Sequence, residues 1–576
     1  MATSKVVVTL LAAVVGQAVA LATRVDPVVS VRNGSYEGQY LPAFDQDIFL
    51  GIPYAQDTGG ANRFRVPQSL DETWNGTRAA KTYGPGCPDY YLSAEVLHGM
   101  SEDCLSINII RPAGVHGSSD SGSGSSNTSL LPVMLWIHGG AYQYGGSGQP
   151  QYNLTYLVKK SVDIGLPIIG ASINYRKGGW GNMYSVEIQG SGNTNLALRD
   201  MRKALAWVQE NIENFGGNAS SVTIWGQSAG SFAVGQLLMS YGGRTDGLFH
   251  RSIQESGSAT TAWCNGSDWY QPIYNKIVDQ VNCSSVPDTL ECLRTIDYDV
   301  LYPFLNSSAT PGPGFYPTVD GDVLPNYPSE LLRAGRFAHI PHIYGTTSDE
   351  GTDNAPIGIN TDEDLRTYLL HGTGFDFPAA TVDHILELYP DDPAQGIPLN
   401  TGAERFAKEG WQYKRVAAIV GDVFYHGPRR YDTQHYALRA PTYTYRFNTR
   451  PWESTSTNTT TGNGSSTTGD GQLAPAYKGV EHFSEAPFVF ANPTLVGPWP
   501  QYRALSDQVS SQWIRFAHTG DPNGPGLPRW PRYDEGKDGV NLVLQTRAQG
   551  GSYVEEDTYR LAGREYLTRW ARRRHV

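Results

Sequence analysis

A serine stands in a glycine-bounded turn that could hold a nucleophile. The segment Gly226–Gly230 reads Gly-Gln-Ser-Ala-Gly, follows the apolar run Ser221–Trp225 and precedes the run Ser231–Leu238. A serine in such a strand-to-helix turn projects its hydroxyl above the sheet, and the residues two positions away on either side must lack bulk. The N-terminus of the next helix then points at the hydroxyl. The spacing predicts that Ser228 is a nucleophile, and a glycine-rich turn that merely begins a helix is the alternative without chemistry.

A serine hydroxyl needs a general base, and the base needs a buried carboxylate to orient it. The chain has 13 histidines, so residue type alone does not single one out. Two adjacent acids, Asp349 and Glu350, follow the apolar residues Ile343 and Tyr344. The residues therefore indicate where a carboxylate could lie, and they leave open both the choice of acid and the choice of histidine.

A second glycine-rich turn precedes the serine in the chain. The segment His138–Tyr142 reads His-Gly-Gly-Ala-Tyr and follows a predicted strand that ends at Ile137. Glycines there let backbone N–H groups approach a substrate oxygen with no side chain in between. The turn is therefore a candidate oxyanion hole, and a simple tight turn is the alternative. The nearby segment Gly145–Gly148 is not a phosphate loop, because no Gly-Lys-Ser/Thr follows it.

The elements around these turns alternate between strands and helices. The segments Pro132–Ile137 and Ile168–Ile173 are short apolar runs typical of strands buried in a sheet. The segment Leu198–Ile212 places apolar residues at spacings of three and four, which predicts an amphipathic helix. This alternation predicts an α/β fold with a large, mostly parallel central sheet that is flanked by helices on both faces.

Taken together, the motifs resemble those of one family. The chain is similar to the type-B carboxylesterases and lipases of the α/β-hydrolase fold, a group that includes the cholinesterases and fungal lipases. The resemblance extends from about residue 27 to about residue 560. The matching segments are Ser101–Leu105 with Asn108, His138–Tyr142, Asn211-Ile212 with Phe215–Gly217, Gly226–Gly230, Gly345–Thr352 and Gly479–His482.

The resemblance implies a catalytic triad of Ser228, Glu350 and His482. In the family the glutamate of Asp-Glu-Gly is the triad acid, which leaves Asp349 as a structural carboxylate. The histidine is the last residue of the Gly479–His482 motif. The order serine, acid, histidine is the one that α/β-hydrolases use. The implied activity is the hydrolysis of a small-molecule carboxylic ester through an acyl-enzyme.

The resemblance also implies an oxyanion hole and a domain organisation. The backbone N–H groups of Gly140, Ala141 and Ala229 would hold the oxyanion. Ala141 stands where many relatives have a third glycine, and we expect this to be tolerated because only its N–H is used. Residues 21–576 are predicted to form a single domain with flexible Ser/Gly-rich and Ser/Thr-rich insertions near residues 114–130 and 453–473.

Two differences from known members of the family narrow the range of expected substrates. Cholinesterases have an acidic residue before the nucleophile, and a tryptophan in the first disulfide loop binds the quaternary ammonium by cation–π attraction. This chain has the neutral Gln227, and it has no tryptophan between Cys87 and Cys104, so acetylcholine is not expected. In related fungal lipases the same loop is a long lid, but only 16 residues separate the two cysteines here.

The short loop predicts a broad carboxylesterase. A lipase or sterol esterase that acts on long-chain esters is the alternative. Some relatives are adhesion proteins that keep the fold and lack the serine, whereas this chain retains Ser228, Glu350 and His482. A binding protein without activity is therefore the less favoured class.

The N-terminus predicts secretion. Residues 1–20 resemble a signal peptide with Lys5, an apolar stretch and a small-residue cleavage site at Ala20, with Ala22 as a second possible site. No later run approaches 18 continuous apolar residues, so no membrane span is expected. The formal net charge of −12, from 44 basic and 56 acidic residues, argues against nucleic acid as a partner.

Glycosylation and disulfides fit an oxidising compartment. The close cysteine pairs Cys87–Cys104 and Cys283–Cys292 are the economical disulfides, which leaves Cys264 unpaired. No Cys/His group has zinc-ligand spacing, so neither a metal nor another cofactor is expected. The ten sequons are Asn33, Asn75, Asn127, Asn153, Asn218, Asn265, Asn282, Asn306, Asn458 and Asn463.

Overall fold

A computed structural model describes residues 24–90, 98–117, 129–261, 264–305, 314–372, 375–453 and 472–573. The predicted signal peptide (1–20) and most of the two predicted insertions lie outside these ranges. The described strands are β1 (Val28–Val31), β2 (Gly34–Glu37), β3 (Gln39–Leu41), β4 (Gln46–Pro53), β5 (Thr77–Ala79), β6 (Ser106–Pro112), β7 (Leu131–Ile137), β8 (Ile169–Ile173), β9 (Gly217–Gln227), β10 (Arg251–Glu255), β11 (His342–Thr347), β12 (Thr442–Phe447), β13 (Trp452–Glu453), β14 (Gln472–Leu473), β15 (Val540–Leu544) and β16 (Tyr553–Glu556).

Helices fill most of the intervals between the strands. The described α-helices are α1 (Thr155–Asp163), α2 (Gly178–Asn182), α3 (Val186–Gly190), α4 (Leu196–Asn211), α5 (Ala229–Met239), α6 (Ser267–Gln280), α7 (Thr289–Thr295), α8 (Tyr298–Leu305), α9 (Pro328–Arg333), α10 (Asp362–His371), α11 (Ala379–Leu388), α12 (Tyr413–Gly421), α13 (Gly427–Ala437), α14 (Ala486–Val489), α15 (Pro493–Val496), α16 (Pro500–Thr519) and α17 (Leu561–Arg573). Short 3₁₀ turns span Gly60–Asn62, Pro150–Tyr152, Ile212–Phe215, Ser240–Gly242, Glu350–Thr352, Leu399–Thr401, Tyr533–Glu535 and Arg547–Gln549, and a π-helical turn spans Asp422–His426.

An 11-stranded sheet organises the molecule, with the order β16-β15-β12-β11-β10-β9-β7-β8-β6-β4-β3. The strands from β8 through β7, β9, β10, β11 and β12 to β15 pair in parallel, and the strands at the two edges pair antiparallel. Parallel strands need crossover connections, which the helices provide. The predicted mostly parallel α/β sheet is confirmed.

The central strands are buried on both faces. In β7, Val133 and Leu135 pack on one side of the sheet with α4 and α5, while Trp136 packs on the other side with α16. The Trp136 ring lies 4.5 Å from that of Trp225 on β9. A strand covered on both faces is a continuous apolar run, because neither set of alternating side chains meets water. This is why these strands could be recognised from sequence.

The parallel strands bring the candidate residues to one edge. Ser228 follows β9, Glu350 follows β11 and the glycine loop His138–Tyr142 follows β7, so all three lie beyond carboxyl ends of neighbouring parallel strands. Open α/β sheets bind their ligands at this edge. The topology therefore supplies the scaffold for a site there.

Two disulfides join Cys87 to Cys104 and Cys283 to Cys292. The remaining cysteine, Cys264, is a buried free thiol. Burial raises its pKa to about 12, so the thiol stays protonated and unreactive at neutral pH. None of the helices in the described ranges combines the length and the apolar character that a membrane crossing requires.

One of the candidate glycosylation sites, Asn33, has a side chain whose amide is already bonded within the fold. Asn33 is buried, and its Nδ2 donates hydrogen bonds to the carbonyls of Leu70 (3.0 Å) and Glu72 (2.9 Å). A glycan bonded to that nitrogen would replace one of its two hydrogens, remove one of these hydrogen bonds and force the sugar into the packed chain. Asn75 and Asn282 are exposed, and Asn153, Asn218 and Asn265 are partly exposed. Asn127, Asn306, Asn458 and Asn463 lie outside the described residues.

We therefore expect Asn33 to carry no glycan in the folded protein. Glycan release in heavy-oxygen water followed by peptide mass mapping should leave Asn33 unconverted and convert Asn75, the exposed neighbour that serves as the control. A glycopeptide at Asn33 in correctly folded protein would show that this part of the chain packs differently.

Candidate active site

Ser228 occupies a strained backbone position at the end of β9. Its φ of 57° and ψ of −125° lie in a region that residues with a side chain rarely adopt. The turn is held from both sides: the Ser228 N–H donates to the carbonyl of Glu255 (2.9 Å), and its carbonyl accepts from the N–H of Phe232 (2.9 Å). Such strain persists where the surrounding structure fixes it, and it is concentrated at functional sites.

The glycines beside Ser228 are required by close backbone contacts. A Cβ on Gly230 would lie 2.0 Å from the carbonyl oxygen of Ile137, and a Cβ on Gly226 would lie 2.7 Å from the same oxygen. A Cβ on Gly139 would come within 3.1 Å of the Cβ of Ser228. The turn after β9 and the glycine loop after β7 therefore touch each other backbone to backbone.

Glu350 and His482 meet across 132 residues of chain. The Nδ1 of His482 lies 2.6 Å from Oε2 of Glu350, whose side chain is completely buried. The other carboxylate oxygen, Oε1, accepts a hydrogen bond from the N–H of Thr347 (2.8 Å). Because a carboxylate only accepts hydrogen bonds, Nδ1 carries the proton and Nε2 presents a lone pair. This is the tautomer that a general base needs.

The local electrostatics favour a protonated His482. Burial by itself lowers the pKa of this imidazole, but the nearby carboxylate of Glu350 outweighs it, and Asp353 and Glu485 act in the same direction. The net result is a pKa above the ordinary value of 6.5. Since a general base must be neutral to accept a proton, any such role of His482 would be lost as the pH falls through this raised pKa.

The structure places the Nε2 of His482 beside Gln227. The two Nε2 atoms lie 3.1 Å apart. Within the part of the chain that the structure describes, no hydrogen bond joins Ser228 Oγ to His482. The imidazole of His482 thus contacts the side chain of Gln227, the residue that immediately precedes Ser228.

Asp349 holds the loop that carries His482. Its side chain is buried and accepts hydrogen bonds from the N–H groups of Val480 (2.8 Å) and Leu399 (2.9 Å). Its own N–H donates to the Val480 carbonyl (3.1 Å). Burial raises the pKa of Asp349 to about 6, although both donors favour the charged form. Of the two adjacent acids, Glu350 contacts the imidazole and Asp349 ties down the backbone two residues before it.

The glycine loop has the backbone shape of a donor turn. Gly140 has a φ of 105°, and a Cβ there would lie 2.1 Å from the carbonyl oxygen of Tyr144. Ala141 also has a positive φ, 53°. Within the described residues, the N–H groups of Gly140 and Ala141 make no hydrogen bond, which leaves them available to an incoming oxygen. Ala229, the third predicted donor, begins α5, where the first N–H groups of a helix have no partner in that helix.

Buried polar side chains support the glycine loop. His138 is fully buried, stacks on the ring of Tyr175 at 4.4 Å and has a pKa that burial lowers to about 3, so it is neutral. The Tyr175 hydroxyl donates to the His138 carbonyl (2.8 Å). The ammonium of Lys177 donates to the carbonyl of Gly145 and pairs with the buried carboxylate of Asp89 at 3.6 Å. These contacts hold the glycine loop and the residues that follow it in place.

Further groups surround the imidazole of His482. The Tyr425 ring lies 4.8 Å from the imidazole of His482 and belongs to the π-helical turn, a feature that often occurs at functional sites. Behind His482, Glu485 and Glu255 are buried. Burial and repulsion from Glu350 raise the pKa of Glu485 to about 7, and burial and repulsion from Glu485 raise the pKa of Glu255. The described residues hold no group of three or more His, Cys, Asp or Glu side chains placed to bind a metal ion.

Several of these residues have no recognisable sequence signal. Lys177 and Asp89 meet only in three dimensions, and Tyr425 lies in a helical segment with no motif. Glu485 could have been noticed because it follows His482 by three residues, which places both on one turn. A buried lysine has to be recognised from its partners, and these come from distant segments.

Comparison with known proteins covers nearly the whole chain. A model of the "Carboxylesterase family" matches residues 25–560. Lipase 2 of Geotrichum candidum is 32% identical over 563 residues, which cover 90% of this chain and 91% of that protein. Lipase 4 of Diutina rugosa is 31% identical, with 94% of this chain and 95% of that protein covered. The solved structure of EstA from Aspergillus niger matches with a TM-score of 0.77 at 26% identity and covers 96% of this chain and 99% of that one.

Proposed function

The chain belongs to the carboxylesterase family and is a carboxylic ester hydrolase, and we propose that it cleaves its ester through a Ser228–His482–Glu350 triad and an acyl-enzyme. In this mechanism Nε2 of His482 takes the Ser228 proton as the hydroxyl attacks the ester carbonyl. Glu350 stabilises the imidazolium that forms. His482 then protonates the leaving alcohol, and water hydrolyses the acyl-enzyme by the same steps in reverse.

The oxyanion of each tetrahedral intermediate is proposed to lie against the N–H groups of Gly140, Ala141 and Ala229. A single donor of this kind typically contributes about 10²- to 10³-fold in kcat. The supporting contacts of Lys177 and Tyr175 matter here because donors that are already oriented need no rearrangement when the charge develops. Ala141 supplies only its N–H, so its methyl group is compatible with this role.

One observation carries the proposal: the Nδ1 of His482 is bonded to a buried carboxylate at 2.6 Å while its Nε2 faces the turn that holds Ser228. A fluorophosphonate probe tests it, because such probes react only with an activated serine. We expect one covalent adduct, on the peptide that contains Ser228, together with loss of ester hydrolysis in proportion to labelling. Hydrolysis that persists after complete labelling, or a label on another serine, would contradict the triad.

The described arms of the Cys87–Cys104 loop, residues 87–90 and 98–104, favour a carboxylesterase over an interfacially activated lipase. On the first arm, the Asp89 carbonyl accepts from the Tyr302 hydroxyl (2.7 Å), and the Asp89 carboxylate accepts from the Gly145 N–H (3.3 Å). On the second arm, the His98 ring contacts the Gly148 carbonyl at 3.2 Å. Residues 91–97 between the arms lie outside the described ranges. Because both arms are fixed, little of the loop is left to act as a lid over a long apolar groove.

We therefore expect the highest kcat/KM on short-chain p-nitrophenyl esters. The rate on long-chain esters should show no jump when the substrate passes its solubility limit. Activity measured across a series of acyl lengths, below and above that limit, checks this. A steep rise at the emulsion interface would instead assign the protein to the lipases, the activity printed in the names of its relatives from Geotrichum candidum and Diutina rugosa.

Secretion is part of the proposal. It is supported by the signal-like residues 1–20, by the two disulfides and by a relative from Botryotinia fuckeliana that is named a secreted lipase. Disulfides form and persist in oxidising compartments. N-terminal sequencing of protein recovered from the culture medium should begin at Leu21 or Thr23, the residues that follow the two possible cleavage sites.

A further inference from the structure

The side chain of Gln227 contacts the ring nitrogen of His482 that has to accept the Ser228 proton. Its Nε2 lies 3.1 Å from the Nε2 of His482, on the side of the ring opposite the Glu350 contact. Since Nδ1 carries the ring proton, Nε2 is an acceptor, and the amide nitrogen of Gln227 is the donor. An amide oxygen in that place would face the lone pair and be repelled. The lone pair that would accept the Ser228 proton is therefore already hydrogen-bonded.

We propose that Gln227 is a positioning residue that caps the lone pair of His482 in the resting enzyme and has to release it when Ser228 attacks. This inference rests on the proposed triad. It gives residue 227 a role in setting the rate of acylation and the pH range of the enzyme, without any contact to the substrate.

The hydrogen bond between Gln227 and His482 is shielded from solvent. Gln227 is buried, and the side chain of His482 is only 11% exposed, so water competes weakly for either partner. The groups that face His482 are the carboxylates of Glu350, Asp353 and Glu485 and the ring of Tyr425. All of the charged groups are acidic and favour the imidazolium.

The glutamine amide favours the neutral form of the base. Its N–H₂ donates to the lone pair of the neutral ring, whereas a protonated Nε2–H would face that donor and be repelled. A carboxylate in the same place could only accept, and it would add a further negative charge beside His482. The neutral amide therefore limits how far the surrounding acids favour the protonated ring.

The first test removes the hydrogen-bond donor at residue 227 and keeps the approximate size of the side chain. Gln227→Met cannot cap Nε2, so we expect the alkaline plateau of the acylation rate to rise about 2- to 10-fold, the range for one hydrogen bond that no longer has to be broken. The acid limb should also move to higher pH by up to about one unit, because a bond that favoured the neutral ring is gone. The burst rate with a p-nitrophenyl ester between pH 5 and pH 9 measures both. Gln434→Met, at an exposed position on α13, is the matched control.

The second test adds the charge. Gln227→Glu should move the acid limb of log kcat/KM upwards by about 1–2 pH units, because a carboxylate at this distance raises the pKa of the base and the neutral ring is lost at higher pH. Gln434→Glu adds the same charge away from the site and should leave the limb unchanged.

The outcomes separate this inference from the triad itself. A Gln227→Met enzyme whose plateau falls while its acid limb stays in place would overturn the cap and make Gln227 a simple support for the turn. A Gln227→Glu profile that superposes on the unmodified one would overturn it equally. If the unmodified enzyme is labelled by fluorophosphonate at Ser228, either result removes only the cap. If it is not labelled there, the triad and the cap fail together.

Discussion

Replacement of Ser228 by alanine is expected to lower kcat on a p-nitrophenyl ester by about 10⁵- to 10⁶-fold and to abolish fluorophosphonate labelling. The alanine enzyme would keep the proposed oxyanion donors and the proposed base, so it should still accelerate the reaction about 10³- to 10⁴-fold over water. What it would lose is the proposed covalent intermediate. The strained backbone at this position, with φ of 57°, would remain strained with alanine.

A matched control distinguishes lost chemistry from lost structure. Ser285→Ala changes an exposed serine and should leave both kcat and labelling unchanged. The Ser228→Ala enzyme should also unfold within a few degrees of the unmodified protein, because the hydroxyl makes no hydrogen bond within the described residues. If Ser228→Ala retained more than a hundredth of the activity, the nucleophile would have to lie elsewhere.

The parts of the site that could be predicted from sequence are those built from short segments. The strand before Ser228 ends in the largely apolar stretch Val222–Trp225, and the glycines on either side of the serine are required by contacts with Ile137, so both features appear in the local sequence. The same is true of the glycine loop, where Gly140 has a backbone conformation that favours glycine. Local constraints of this kind leave a pattern that one sequence can reveal.

Other features depend on residues that are far apart in the chain. Nothing near Asn33 in the sequence indicates that its amide donates to the carbonyls of Leu70 and Glu72, so the sequon alone could not show that this side chain is buried. The buried pair of Lys177 and Asp89 is equally invisible, since a lone lysine and a lone aspartate normally indicate surface positions. Such pairs are decided by tertiary packing, and their energetic role follows from burial.

The choice between Asp349 and Glu350 illustrates the limit of residue-level reasoning most clearly. The two carboxyls are adjacent and equally acidic by type, and only the family pattern favoured Glu350. The fold separates them: the turn that begins at Glu350 directs one side chain towards His482 and the other towards the backbone of Val480. The two roles predict opposite patterns of damage when each acid is replaced by its amide.

Glu350→Gln is expected to lower kcat by about 10⁴-fold with little loss of stability. The amide cannot stabilise the imidazolium, and it can turn its N–H₂ towards Nδ1 and favour the wrong tautomer of His482. The acid limb of the residual activity should move to lower pH, because the pKa of His482 is raised chiefly by the carboxylate that the change removes. Glu404→Gln, at an exposed site, is the control for the loss of one charge.

Asp349→Asn should show the opposite behaviour. One amide oxygen can still accept from Val480 or Leu399, but the other N–H is left facing an N–H₂ group, so we expect unfolding to become easier by about 1–3 kcal/mol. The kcat should fall less than about 10-fold, because His482 retains its partner, and thermal unfolding measured beside kcat for the two variants separates the roles. A 10⁴-fold loss in Asp349→Asn with near-normal activity in Glu350→Gln would assign the triad acid to Asp349 instead. That result would require the loop to rearrange, since Asp349 is bonded to the backbone of the His482 loop and Glu350 to the imidazole itself.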